Sequence, residues 1–384
     1  MTVESVDRRP IGRIAPALLE DWLRDRYFEL PIDISSSGVQ DYSVGQLRDI
    51  LGITARDLDE VQFRDSPSVG CLPLRQAIAD RFGDGGPETV MVTHGSTEAL
   101  FLALAALVSP GDEIVVLQPV YHSLHAIAET LGARLRVWRL DPEDGFTPDL
   151  DRFRDLLNER TKAVLVNFPH NPTGTTLSAA AYEEFLDLIA RHDCHLLWDG
   201  AFTELVYDGP PLPDPRERLE RAVSVGTLSK AYGLPGMRVG WCMAPAGLLT
   251  TMVKVRDYVS IATSPLAEFL ATAVLRDGDR IAGRRLRQAA ANREVLRAWA
   301  LEDPEHIDLP VPLGGVSAFP AVRGVADVRE ICGDLEAHGV LVVPGFCFGY
   351  PDRMRIGFGG PPGVLRAGLR AISEVVGGPA GGAG

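Results

Sequence analysis

Lys230 stands in "SVGTLSKAYGLPGMRVGW", directly after a run of apolar residues and among Ser, Gly and Pro. A lysine there is costly to bury unless it pairs or bonds covalently. One chemistry that uses such a residue is Schiff-base formation, in which an uncharged amine attacks a carbonyl. Thr227 lies three residues before it and Arg238 eight after. A hydroxyl and a guanidinium flanking a lysine suit a phosphate held beside that bond. A second apolar run, "HLLWDG", delivers Asp199 to its tip, and "HGSTEAL" sets Gly95, Ser96 and Thr97 at the start of a helical pattern. Free N–H groups and the helix dipole attract a phosphate at such a place.

These residues need elements to hold them. "TVMVTHG", "DEIVVLQP", "ARLRVWRL", "TKAVLVNF", "CHLLWD", "AVSVGTL" and "MRVGWCMA" read as strands, several of them separated by helical patterns, one of which starts near His122. Near-continuous apolar strands alternating with helices indicate an α/β sheet covered on both faces. The unusual polar residues fall just past the carboxyl ends of these strands, where ligands bind in open α/β sheets. An Arg-rich helical pattern from about 266 to 302 leads into a smaller α+β unit containing "VPLGGVSAFP" and "VLVVPGFCFG". We expect an N-terminal segment of residues 1–50 joining that small unit, a large domain over 51–290 and the small domain proper over 291–384. "GGPAGGAG" reads as a flexible tail.

Composition narrows the classes. The chain has 384 residues, 46% apolar and 23% charged, with a formal net charge of -14. That balance is ordinary for a globular enzyme and argues against a nucleic-acid partner. Five cysteines without a C-x-x-C pair or zinc spacing read as reduced thiols and give no metal site. "MTVESVDRRP" lacks the apolar core of a signal peptide, and "ALFLALAALV" is half the length needed to cross a bilayer. The expectation is a cytoplasmic protein with a small-molecule substrate and no membrane partner.

The lysine segment resembles that of the fold-type I pyridoxal-phosphate enzymes, the class I/II aminotransferase group. Further motifs agree with the resemblance in order and spacing: "GST", "PVYHS", "NFPHNPTG" and "RMRIGF". Singly, each has an ordinary reading as a helix cap, a turn or a surface charge. Together they imply a three-layer large domain with a mixed, mostly parallel sheet and pyridoxal 5'-phosphate as cofactor. The resemblance assigns Lys230 to the Schiff base, Asp199 to the pyridine nitrogen, Tyr121 to stacking on the ring and Asn171 to its phenolic oxygen. Gly95, Ser96, Thr97, Thr227 and Arg238 fall to the phosphate, and Arg355 to the substrate α-carboxylate. It also implies a homodimer.

Three departures are visible. Phe202 stands where commoner members carry a tyrosine that donates to the phenolic oxygen. Asp65 takes the place of a tyrosine that reaches a neighbouring subunit's phosphate, with Phe63 close by. "DISSSGVQDYS" puts Ser35, Ser36 and Ser37 before Gly38, so that Ser37 and Gly38 become substrate-side candidates alongside Asn171.

Together with "LEDWLRDRYFELP" and "LLWDGAFTELV", these features resemble the capreomycidine synthase-like cyclases of viomycin- and streptothricin-type antibiotic pathways. That resemblance implies a β-hydroxylated arginine as substrate, α-proton abstraction, loss of water and ring closure by the guanidine. Asp33, Asp41, Asp65 and Glu204 are acids that could meet the guanidinium. Lys230, a serine of 35–37 or a histidine could protonate the leaving hydroxyl. A plain aminotransferase is the alternative. A cofactor-sensing regulatory module would need a DNA-binding domain in front, and the pattern offers none.

Overall fold

A computed structural model describes residues 15–83 and 85–377. "MTVESVDRRP" and nearly all of "GGPAGGAG" lie outside those residues.

Strand β1 (Ile32–Asp33) begins the described strands, and seven more form the central sheet. They are β2 (Val90–Thr93), β3 (Glu113–Gln118), β4 (Arg134–Arg139), β5 (Thr161–Asn167), β6 (His195–Asp199), β7 (Ala222–Thr227) and β8 (Gly240–Met243). Their spatial order is β2-β8-β7-β6-β5-β3-β4. Strand β8 runs antiparallel to both neighbours and every other pairing is parallel, which gives the mixed, mostly parallel sheet expected. Strands β7 and β8 are buried along their whole length, as apolar runs covered on both faces must be.

One face packs under an aromatic cluster of Trp138, Phe153, Phe185 and Trp198. The other packs under helix Gly95–Leu107 through Leu100, Leu104, Val116 and Leu165. Register then decides what meets at the carboxyl edge. Asn167 pairs with Asp199, Asp199 with Val225, and Thr227 with Gly240.

A smaller unit carries an antiparallel sheet of Ser317–Ala318, Met354–Gly357 and Val343–Pro344, backed by helices Arg329–Ala337 and Pro362–Gly377. An N-terminal strand joins this unit: β1 runs parallel to Val340–Leu341. Helix Leu18–Arg24 is anchored to the same region, with the Trp22 indole donating to the Val342 carbonyl at 2.9 Å and Arg26 paired to Glu336 at 2.9 Å.

Two elements differ from the sequence pattern. The pattern over 266–302 is two helices, Pro265–Arg276 and Gly278–Glu302, broken at Asp277. Gly278 lies against the Arg81 guanidinium, and a Cβ there would come within 2.5 Å of it. The helix expected near His122 is a 3-10 turn, His122–Leu124, followed by the short helix Ala126–Thr130.

Candidate active site

The carboxyl edge of the sheet opens into a cavity of about 460 Å³. Of the thirteen residues that the sequence assigns to the cofactor and the α-amino-acid end of the substrate, twelve stand on its wall: Ser37, Gly95, Ser96, Thr97, Tyr121, Asn171, Asp199, Phe202, Thr227, Lys230, Arg238 and Arg355. Gly38 stands behind the wall, where a Cβ would sit 3.2 Å from the Ser229 carbonyl.

Asp199 ends β6 and is 6% exposed. One of its oxygens accepts the Ala201 amide at 3.0 Å, and burial pushes its carboxyl up to about 6. A buried carboxylate in that condition gains from a cation on its free side. Asn167, which ends β5 beside it, donates to the Asp199 carbonyl at 2.8 Å and accepts the Asn171 amide at 2.9 Å. Asn167 therefore fixes two neighbours at once. It was not among the residues proposed from sequence, although a polar residue closing the apolar run "TKAVLVNF" is the same signal that singled out Asp199.

Lys230 lies in the turn after β7. Burial, with the Arg355 charge nearby, holds its amine down at about 8, against the partial support of Asp199. Its Nζ donates to Ser37 Oγ at 2.9 Å and stands 5.8 Å from the centre of the Phe202 ring. The serine segment reaches the lysine because it is strapped from both sides. The Val39 amide donates to the Lys230 carbonyl at 3.2 Å, and the Gly357 amide donates to the Ile34 carbonyl at 2.7 Å. Phe202 is 3% exposed and offers no donor.

A second group of polar atoms forms a cradle for an anion. Gly95–Thr97 open helix Gly95–Leu107, whose first amides lack partners within the helix. Gly95 has a φ of 75°, and a Cβ on it would lie 2.8 Å from an Arg238 nitrogen. Arg238 itself donates to the Pro235 carbonyl at 2.9 Å and pairs with no carboxylate among the described residues. Ser229 completes this corner: its amide donates to Thr227 Oγ1 at 3.1 Å. Amides, hydroxyls and a free guanidinium are the donor set a phosphate requires.

Arg355 is 2% exposed. One terminal nitrogen donates to Asn171 Oδ1 at 3.3 Å, the other to the Ser35 carbonyl at 2.7 Å, and Nε has no partner among the described residues. Burial lowers its guanidinium to about 10. A buried guanidinium without a carboxylate leaves room for one from a ligand.

The acids suggested for a guanidinium are not on the cavity wall. Asp33 accepts both the amide and the hydroxyl of Ser35 at 2.7 Å. Glu204 is bound by Arg81 at 3.0 Å. Asp41 and Asp65 are exposed. No histidine lines the cavity either.

A family model for the class I and II aminotransferases matches residues 42–372. The chain belongs to that family. Among curated relatives, the capreomycidine synthase of Streptomyces vinaceus is 52% identical over 96% of each chain. The aspartate/prephenate aminotransferase of Thermus thermophilus is 29% identical over 84% of this chain and 86% of its own. Among solved structures, the PLP-dependent cyclase OrfR in complex with Au superposes with a TM-score of 0.89 at 39% identity, covering 97% of this chain and 99% of that one. This class I/II aminotransferase homologue is a pyridoxal-phosphate enzyme of fold-type I, and the cavity's chemistry fits the cofactor: its wall carries an anion cradle, a buried carboxylate and a buried amine.

Proposed function

We propose that the protein cyclises a 3-hydroxylated L-arginine to a capreomycidine-type cyclic guanidino amino acid, a step of antibiotic biosynthesis. The single observation that carries this reading is the similarity to the capreomycidine synthase, which extends over nearly the full length of both chains.

In this reading, Gly95, Ser96, Thr97, Thr227 and Arg238 would hold the cofactor phosphate and Tyr121 would serve its ring. Asn171 would serve its phenolic oxygen, and Asp199 its pyridine nitrogen. Bound there, pyridoxal phosphate supplies an electron sink that acidifies the substrate's Cα–H. Arg355 grips the α-carboxylate with its two terminal nitrogens, and Asn171 orients it. Lys230 is the base: an amine held near 8 is partly uncharged at neutral pH and can take the α-proton. Ser37, hydrogen-bonded to Lys230 Nζ, is placed to pass a proton to the departing β-hydroxyl. The hydroxyl leaves as water. A terminal guanidine nitrogen bonds to Cβ and gives up a proton to Lys230, which has passed the α-proton to the leaving hydroxyl through Ser37, and Lys230 delivers this proton to Cα. The net change is loss of one water. Phe202 and Leu19, both nearly buried, keep bulk water from the reacting carbons.

A homodimer also follows from this reading. Phe63, Tyr258, Val259 and Ile261 are large apolar side chains open to solvent, and their loops are tied together by Glu268. Asp65 lies on the same surface. The five unpaired cysteines suit a reducing, cytoplasmic compartment.

The competing reaction on this scaffold is amino-group transfer. Incubating the holoenzyme with the hydroxylated arginine and 2-oxoglutarate separates the two. A cyclase leaves the keto acid unchanged, whereas glutamate formed in step with substrate loss would make the protein an aminotransferase.

A further inference from the structure

The cavity mouth carries a carboxylate that the steps above leave unused. Glu20, on helix Leu18–Arg24, lines the cavity, and Asp199 is the other acid on the wall among the described residues. Glu20 Oε1 accepts the Tyr121 hydroxyl at 2.8 Å, which aims the carboxylate while leaving Oε2 free. No cationic side chain among the described residues lies within ion-pair distance of it. Arg24, the nearest cation along the helix, is held by Asp21 at 2.7 Å.

Position is set by packing. Leu19 is buried among Phe319, Val343 and Phe348, and Trp22 is bonded to Val342. Fixing that face of the helix turns positions 20, 23 and 24 toward the cavity. Just beyond the helix, Tyr27 and Phe28 line the same wall with rings in an edge-to-face pair 4.9 Å apart. Phe28 is 87% exposed, an aromatic surface open at the cavity. A carboxylate sharing one cavity wall with two aromatic rings offers a planar guanidinium both a charge-assisted fork and a cation–π surface.

We propose that Glu20, on the cavity wall that Tyr27 and Phe28 also line, is the specificity-determining residue that receives the substrate's terminal guanidinium while Arg355 holds the α-carboxylate. The proposal rests on the cyclase reading for the identity of the substrate. The two charged ends then meet opposite charges at separate points of one cavity. The same carboxylate repels a second acidic group, so it also disfavours aspartate and glutamate as substrates.

The test is an absorbance titration of the holoenzyme with L-arginine, with L-citrulline as its neutral near-isostere, and with L-alanine. Wild type should bind arginine roughly 10- to 100-fold more tightly than citrulline, the range of a charge-assisted pair. Glu20→Gln should bring the two within about 3-fold while leaving the cofactor spectrum and the alanine affinity unchanged. Glu20→Asp, which keeps the charge on a shorter arm, should restore part of the preference. A wild-type enzyme without the preference, or a Glu20→Gln enzyme that keeps it, overturns the proposal. Arginine lacks the leaving hydroxyl, so this result does not depend on ring closure. Selective arginine binding without cyclisation of the hydroxylated substrate would refute the cyclase reading alone. Cyclisation with an unaltered preference in Glu20→Gln would refute the role of Glu20 alone.

Discussion

Asp199 is the residue whose energetic burden can be worked out from the structure. It is buried, and burial moves its carboxyl from the ordinary 3.8 to about 6 in the cofactor-free protein. A folded-state value above the unfolded one means the native chain binds that proton more tightly. The contribution to stability is therefore present in full below about 3.8 and lost as pH rises through about 6. The loss amounts to about 3 kcal/mol by pH 8. Asn in its place has no charge to bury and can still accept the Ala201 amide. The apoprotein of Asp199→Asn should thus be more stable than wild-type apoprotein at pH 8, by about 3 kcal/mol. For a chain of this size that is a rise in Tm of roughly 4 °C. At pH 4 the difference should nearly vanish. With cofactor bound the order should reverse, because in the proposed arrangement the carboxylate faces a cation that Asn cannot match. Thermal unfolding by differential scanning fluorimetry, of both proteins with and without cofactor and at both pH values, reads all four states. Equal apoprotein stabilities at pH 8, or a difference that persists at pH 4, would refute the reasoning.

Arg355→Lys keeps a charge but loses the planar fork, and should lower kcat/KM by about 10²-fold through KM, with the cofactor spectrum unchanged. Steady-state kinetics on the hydroxylated arginine check it. Gly95→Ala places a Cβ against Arg238 at a φ of 75°, and should weaken cofactor binding about 10-fold, measured by equilibrium dialysis. In the proposed arrangement, Phe202→Tyr would add a donor to the cofactor's phenolic oxygen, which would favour the deprotonated lysine–cofactor linkage. Its titration midpoint, followed by visible absorbance, should fall by about one on the pH scale.

The large sheet was legible because its strands are apolar along their length and end on polar residues, as "HLLWD" and "AVSVGT" do. That pattern carries both the fold and the positions of Asp199, Thr227 and Lys230. Glu20 was not legible. Its meeting with Tyr121 spans 101 positions of sequence and depends on how a seven-residue helix is wedged against the C-terminal unit. Helical periodicity does not encode such a placement. The acids suggested instead are engaged nearby or exposed: Asp33 is closed in a local turn with Ser35, two residues on. The break at Asp277 was hidden for a similar reason, since the Arg81 side chain that Gly278 accommodates arrives from nearly 200 residues away. Asn167 is the opposite case, a residue whose signal was present and went unread.

The central claim is that Lys230 and its surroundings remove water from a hydroxylated arginine and close a ring, with no second substrate. The direct measurement is to incubate the holoenzyme with 3-hydroxy-L-arginine alone and follow the product by mass spectrometry and NMR. The account predicts a product lighter by one water, with a guanidine nitrogen bonded to Cβ. Unchanged substrate, or an open-chain keto acid, would contradict it.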